Sequence, residues 1–244
     1  PLQGYTDVAY RYWHNRLIGG ISCYYSPFIR IEKSDIRAKD LRDILPENNE
    51  GLNLVPQIIV NGKDELDFLS AKIRELGYSR IDINLGCPFP LQTKKGRGAA
   101  LLSDPQKVQE LMEAIKDNDD IHYSVKMRLG MSSAEEFYPL IDIINHAPLH
   151  HVTLHPRVAT QQYKGNVDML SFERISGEIT HPLIYNGDIT NLGEINSIDS
   201  RYAKLSAIMI GRGLLSDPCL SYEYVNNVQL SDKEKIAKIL ELHA

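Results

Sequence analysis

These 244 residues predict an α/β fold, a (β/α)8 TIM barrel, and three observations lead there. Short β-rich apolar runs alternate with amphipathic helical segments, which is the pattern of βα units and a parallel sheet. Polar and glycine-rich clusters follow nearly every strand, as expected where site residues gather on the C-terminal face of a barrel. The length suits the about 250 residues of a single α/β barrel, and the absence of a G-x-G-x-x-G after any strand weighs against the classical dinucleotide fold.

Seven strands are predicted, at residues 21–25, 54–60, 80–84, 122–127, 151–155, 182–185 and 206–210. Because the chain opens on Pro1 inside a motif, an eighth strand is expected ahead of it. Between the strands, Leu66, Leu69, Ile73 and Leu76 repeat at helical spacing, as do Val108, Leu111, Met112 and Ile115, so each helix lays one apolar stripe on the sheet. Asp104 before Pro105 and Asp217 before Pro218 place a cap ahead of a proline at the first helical position, and Asn191 with Glu194 reads as a capping box. Residues 1–228 are thus expected to form the barrel. Residues 229–244, with Ser231-Asp232-Lys233-Glu234 opening a helix, are expected to begin a truncated C-terminal helical region.

A hydrophobic share of 43% with 24% charged residues is that of a globular domain with a real core. No apolar run reaches the ~20 residues that cross a bilayer, and no basic-then-apolar segment marks a leader, so no membrane association and a cytoplasmic location are expected. Cys23, Cys87 and Cys219 are odd in number and widely spaced, which argues against a disulfide framework or a metal site. The net charge of −5 counts against a nucleic-acid partner. Lys94, Lys95 and Arg97 nevertheless cluster within four positions and could steer phosphates.

Four clusters carry chemistry. In Ile81-Asp82-Ile83-Asn84-Leu85-Gly86-Cys87-Pro88, Asn84 and Cys87 fall at the mouth of the barrel, with the cysteine between glycine and proline in a loop where packing explains little. Cys23, within a strand, and Cys219, within a helix, read as small buried hydrophobes. Lys126 lies among apolar neighbours near a strand end. An inward ammonium is costly without an anion, which points to a negatively charged cofactor such as a reduced flavin. His155-Pro156-Arg157 with Gln161 reads as a surface for anions and amides. Asn186-Gly187-Asp188-Ile189 and Gly211-Arg212-Gly213, after the last two strands, match the usual phosphate site of barrels.

In this order, the segments resemble the dihydrouridine synthase family over almost the whole chain. Pro1-Leu2-Gln3-Gly4-Tyr5-Thr6-Asp7 with Arg11 is similar to its opening A-P-M-x-G-V-T-D-x-x-F-R, entered one residue late. Asn84-Leu85-Gly86-Cys87-Pro88 with Gly98-Ala99-Ala100-Leu101-Leu102 is similar to its N-x-G-C-P and G-A-x-L-L signature, and Lys126 and Arg128 fit its K-x-R strand. Leu2, Tyr5 and Val158 depart from the family pattern and touch only the finer shape of the substrate pocket. The resemblance implies FMN as cofactor, an NADPH-type reductant and tRNA as substrate. Hydride would go to C6 of a uridine and a proton from Cys87 to C5. Asn84 would position the uracil or the cysteine, Gln57, Lys126 and His155 would contact the flavin, and Arg157 would face the RNA. The expected state is a monomer without metal. Two rival readings are a flavin barrel acting on a small pyrimidine and a barrel that binds tRNA without redox chemistry.

Overall fold

Seven parallel strands run through the computed structural model, which describes residues 1–243. After α1 (Val8–Leu17), β1 (Tyr24–Tyr25) leads to an antiparallel hairpin of β2 (Ile31–Glu32) and β3 (Asp35–Ile36), then to α2 (Ala38–Ile44). β1 pairs in parallel with β4 (Leu54–Val55). β5 (Gln57–Ile58) opens a six-stranded parallel ladder through β6 (Arg80–Leu85), β7 (His122–Gly130), β8 (Leu149–Val158), β9 (Leu183–Tyr185) and β10 (Ala207–Ile208). β4 and β5 form one strand interrupted at Pro56, which has no N–H to donate but whose carbonyl still accepts from Asp82 N at 2.9 Å.

Helices alternate with these strands. α3 (Lys63–Glu75) precedes β6, the short α4 (Pro90–Thr93) and α5 (Pro105–Ala114) precede β7, and α6 (Tyr138–Asn145) precedes β8. α7 (Met169–Glu178) and α8 (Leu192–Arg201) flank β9, and α9 (Arg212–Ser216), α10 (Leu220–Asn226) and α11 (Asp232–His243) follow β10. Ile81 and Ile83 of β6 are fully buried in one core with Leu66, Leu69 and Ile73 of α3 and Val108 and Leu111 of α5, so the predicted helical stripes do meet the sheet.

The strand bounds differ from the predicted ones where partners decide them. β7 and β8, each bonded on both sides, run on to Gly130 and Val158. β1 and β10 each bond one neighbour and shrink to two residues, which leaves Cys23 half-buried ahead of its strand rather than inside it. Asp104 caps α5 through Lys107 N, and Asn191 caps α8 through Glu194 N. Pro218 does not start a helix: Asp217 accepts from Cys219 N in a turn, and α10 begins two residues beyond the proline. α11 lies against α1, and its Lys235 ammonium bridges Asp217 and Glu223.

The inside of the sheet is polar where barrels usually carry branched apolar residues. Gln57, Asp82 and Ser124 stand in register on adjacent strands, and Asn84 pairs with Lys126 in the next layer. At the N-terminal end of the strands a cavity of about 220 Å³ is lined by Cys23, Tyr25, Arg80 and three histidines, His122, His150 and His151.

Candidate active site

The C-terminal ends of the strands enclose a cavity of about 800 Å³, within the range of small-molecule and cofactor sites. Strands β5, β6, β7 and β8 deliver Gln57, Asn84, Cys87, Lys126, His155 and Arg157 to it. The turns after β9 and β10 add Asn186, Gly187, Asp188, Gly211 and Arg212. Residues up to 155 positions apart in sequence therefore share one space.

Cys87 is held by its backbone from both sides. Its N–H and that of Gly86 donate to Asn84 Oδ1 at 2.9 and 3.0 Å, and its carbonyl accepts from Ala99 N at 3.0 Å. Gly98 makes that clasp possible: its φ is +62°, and a Cβ there would stand 2.8 Å from the Cys87 carbonyl oxygen. The cysteine is 8% exposed, and burial pushes its thiol above the ordinary value, so it carries its proton at neutral pH.

Below the thiol, Asn84 Nδ2 donates to Gln57 Oε1 at 2.8 Å and Gln57 Nε2 to Asp82 Oδ2 at 2.7 Å, while Ser124 Oγ donates to Asp82 Oδ1 at 2.7 Å. Asp82, under the site, and Arg30, Gln92 and Thr190, in its lining, are polar residues that the sequence does not single out. Asp82 is an ordinary member of a strand alternation, and only its i, i+2 relation to Asn84 puts both on one face.

Lys126 forms no ion pair with any described residue, and burial together with Arg128 lowers its pKa to about 8. Next to it His155 is 6% exposed. Its Nε2 lies 3.1 Å from Arg157 Nη1, and because a guanidinium only donates, Nε2 must accept and the ring proton sits on Nδ1. Burial and the cations Lys126, Arg128 and Arg157 keep this imidazole neutral by holding its pKa well below the ordinary value.

Two expectations need correction. Arg157 does not face outward to an RNA: it is 1% exposed and ion-paired with Asp188, whose carboxyl it holds below the usual range. Arg97 is 4% exposed and grips both oxygens of Glu65 through Nε and Nη2, because a guanidinium entering a packed loop root needs a carboxylate. Lys94 and Lys95 are exposed, beyond the cavity lining. The two glycine turns touch: Arg212 reaches back to Asp188 at 2.9 Å, and a Cβ on Gly213 would lie 1.9 Å from the Ile189 carbonyl oxygen. Tyr163 sits between two guanidiniums, Arg212 4.5 Å and Arg128 5.5 Å from its ring centre. Among the described residues no group of three or more His, Cys, Asp or Glu could hold a metal ion, and no helix is long and apolar enough to cross a membrane.

Comparison with solved structures supports the barrel. A variant of NCR from Zymomonas mobilis superposes with a TM-score of 0.62 at 15% identity, covering 92% of this chain and 81% of that one. Morphinone reductase gives 0.59 at 9% identity, over 92% and 82%. At these identities the likeness shows the fold alone. Among curated proteins, the tRNA-dihydrouridine(16) synthases of Shigella flexneri and Escherichia coli (strain K12) are each 28% identical across 91% of this chain and 72% of their own length. The probable tRNA-dihydrouridine synthase 1 of Synechocystis sp. is 27% identical across 99% and 67%. The match to Dihydrouridine synthase (Dus) runs over residues 1–244 and so takes in the clasped cysteine, the lysine strand and both glycine turns, which makes the chain a member of the dihydrouridine synthase family.

Proposed function

We propose that this chain reduces uridine in tRNA to 5,6-dihydrouridine, with FMN as the bound cofactor and NADPH as the reductant. The observation that carries the reading is Cys87, clasped through its backbone at the edge of a cavity that also contains the Lys126 ammonium, which makes no ion pair with any described residue.

The residues present fit an anionic cofactor. An inward, half-buried ammonium with no carboxylate in ion-pair contact calls for a negative partner, and Lys126, with the Gln57 amide and the neutral His155, would hold the ring of a flavin. The turns at Asn186, Gly187 and Gly211, with Arg212 and with Asp188 orienting that arginine, would hold its phosphate. Bound and reduced, FMN supplies hydride to a carbon acceptor.

The uracil C5=C6 bond is conjugated to the C4 carbonyl, so hydride gained at C6 must be matched by a proton at C5. Cys87 supplies that proton as its thiol, a role that burial favours by keeping S–H intact. Asn84 holds the backbone that carries the thiol. The base has to leave its stack to enter a cavity of this depth. Tyr5, Phe89 and Leu91, 67%, 59% and 78% exposed on the rim, offer apolar faces to unstacked nucleotides, and Lys94 and Lys95 offer charge to the backbone. Arg157, paired with Asp188, acts on the RNA only through the site it braces. We assign these roles to the barrel of residues 1–228, against which α11 is held through Lys235.

The test is the absorbance spectrum of the purified protein, followed by mass analysis of unmodified tRNA after incubation with protein and NADPH. A flavin spectrum with one uridine gaining two hydrogens is the expected result. Flavin without that gain redirects the reading to a small-pyrimidine oxidoreductase. No flavin leaves a tRNA-binding barrel.

A further inference from the structure

The hydrogen bonds under Cys87 have a direction. Backbone N–H groups only donate, so the two from Gly86 and Cys87 fix Asn84 Oδ1 toward themselves and turn Nδ2 toward Gln57. Gln57 must then present Oε1 upward and Nε2 downward, and what lies below has to accept. Asp82 does: it is 0% exposed, its Oδ2 accepts from Gln57 Nε2, and Ser124 Oγ donates to its other oxygen. Both ends of the chain impose the same polarity on two side-chain amides that could each otherwise rotate by half a turn.

We infer that Asp82 is a positioning residue for Cys87: as the terminal acceptor, it sets the orientation of Gln57 and Asn84 and thereby the place of the thiol. This rests on the proposed function only in giving Cys87 a proton to deliver. The relay itself is a property of the fold. A buried carboxylate bonded to Gln57 and Ser124 alone would be a stability element. Through Asn84 it reaches the cysteine backbone, whose carbonyl is already held by Ala99, so the relay completes the second half of the clasp.

Swapping the polarity tests this. Gln57→Glu keeps an acceptor for Asn84 but faces Asp82 with no hydrogen to give. Asp82→Asn combined with Gln57→Glu returns a donor below and an acceptor above. The measurement is the rate of Cys87 alkylation by iodoacetamide in the flavin-loaded protein, mapped by peptide mass, alongside flavin content and dihydrouridine kcat and KM. Gln57→Glu is expected to speed Cys87 alkylation about tenfold and to lower kcat about tenfold at unchanged KM. The double variant is expected to bring the Cys87 alkylation rate back within about threefold of the parent. Asp82→Asn alone, whose oxygen can still accept from Gln57, is expected near the parent. Should the charged single variant not fold, Gln57→Met makes the same cut without charge. A parental alkylation rate in Gln57→Glu or Gln57→Met, or a double variant no better than Gln57→Glu, overturns the inference. Alkylation requires no uridine reduction, so this result is separable from failure of the proposed function.

Discussion

The two ends of the barrel are built from similar residues and differ in what those residues do with their hydrogen bonds. Each end has a cysteine, a strand-borne cation, histidine and tyrosine. At the N-terminal end they satisfy one another: Arg80 bonds Asn53, His150 Nδ1 meets His151 Nδ1 at 2.9 Å, and Tyr25 Oη meets His151 Nε2 at 3.0 Å around 220 Å³ of space. At the C-terminal end the Lys126 ammonium has no ion-pair partner among the described residues, and a clasped thiol borders 800 Å³. Residue type does not distinguish a binding end from a structural one. Unspent valence beside open volume does.

Exchanging the cysteines gives the sharpest contrast. Cys87→Ala should keep its flavin and lose about 10² to 10⁴ of its turnover on unmodified tRNA, the span of a general acid. Cys23→Ala should stay within about twofold. Equal losses in steady-state assays would erase the distinction between the ends.

Lys126→Met should weaken FMN retention by about 30-fold or more, read by equilibrium titration of flavin-free protein. The parent carries a pH signature. Lys126 titrates near 8 before an anion arrives and is charged below that value, so FMN affinity should fall as pH rises through about 8. The variant should lose this dependence. A parent with flat affinity across that range would remove the lysine from the phosphate-and-flavin reading.

A smaller effect belongs to the other end. Burial, His150 and Arg80 lower His151 from 6.5 to about 4, so below 6.5 the unfolded chain takes up a proton that the folded one refuses. That stability is whole above about 6.5 and drains as pH falls toward 4. His151→Gln should flatten this acid limb by about 1 to 2 kcal/mol in denaturant melts at pH 7 and pH 5, with turnover unchanged at neutral pH. A loss of turnover would show that the lower end is coupled to the upper.

Much of this was legible in the residues. Period and caps located the helices, and the polar clusters after strands located the mouth, because both are local properties of the chain. The burial of Arg97 and Arg157 is not legible for the opposite reason: Glu65 and Asp188, the carboxylates that pair with them, lie 32 and 31 positions away, and spacing cannot tell a paired guanidinium from a free one. Asp82 escaped for the same cause, since its partners Gln57 and Ser124 become neighbours only through strand register.

The Arg97 pair has a further consequence for the exposed lysines just before it. With Arg97 locked to Glu65 and Ile31, the root of the loop is fixed once the chain has folded. If Lys94 and Lys95 take a polyanion as proposed, they would meet it as a preformed pair, and only their own side chains would remain to be stilled. The entropy of ordering that backbone is lost during folding, not at encounter, so cutting the root should slow capture of a polyanion even though both charges remain.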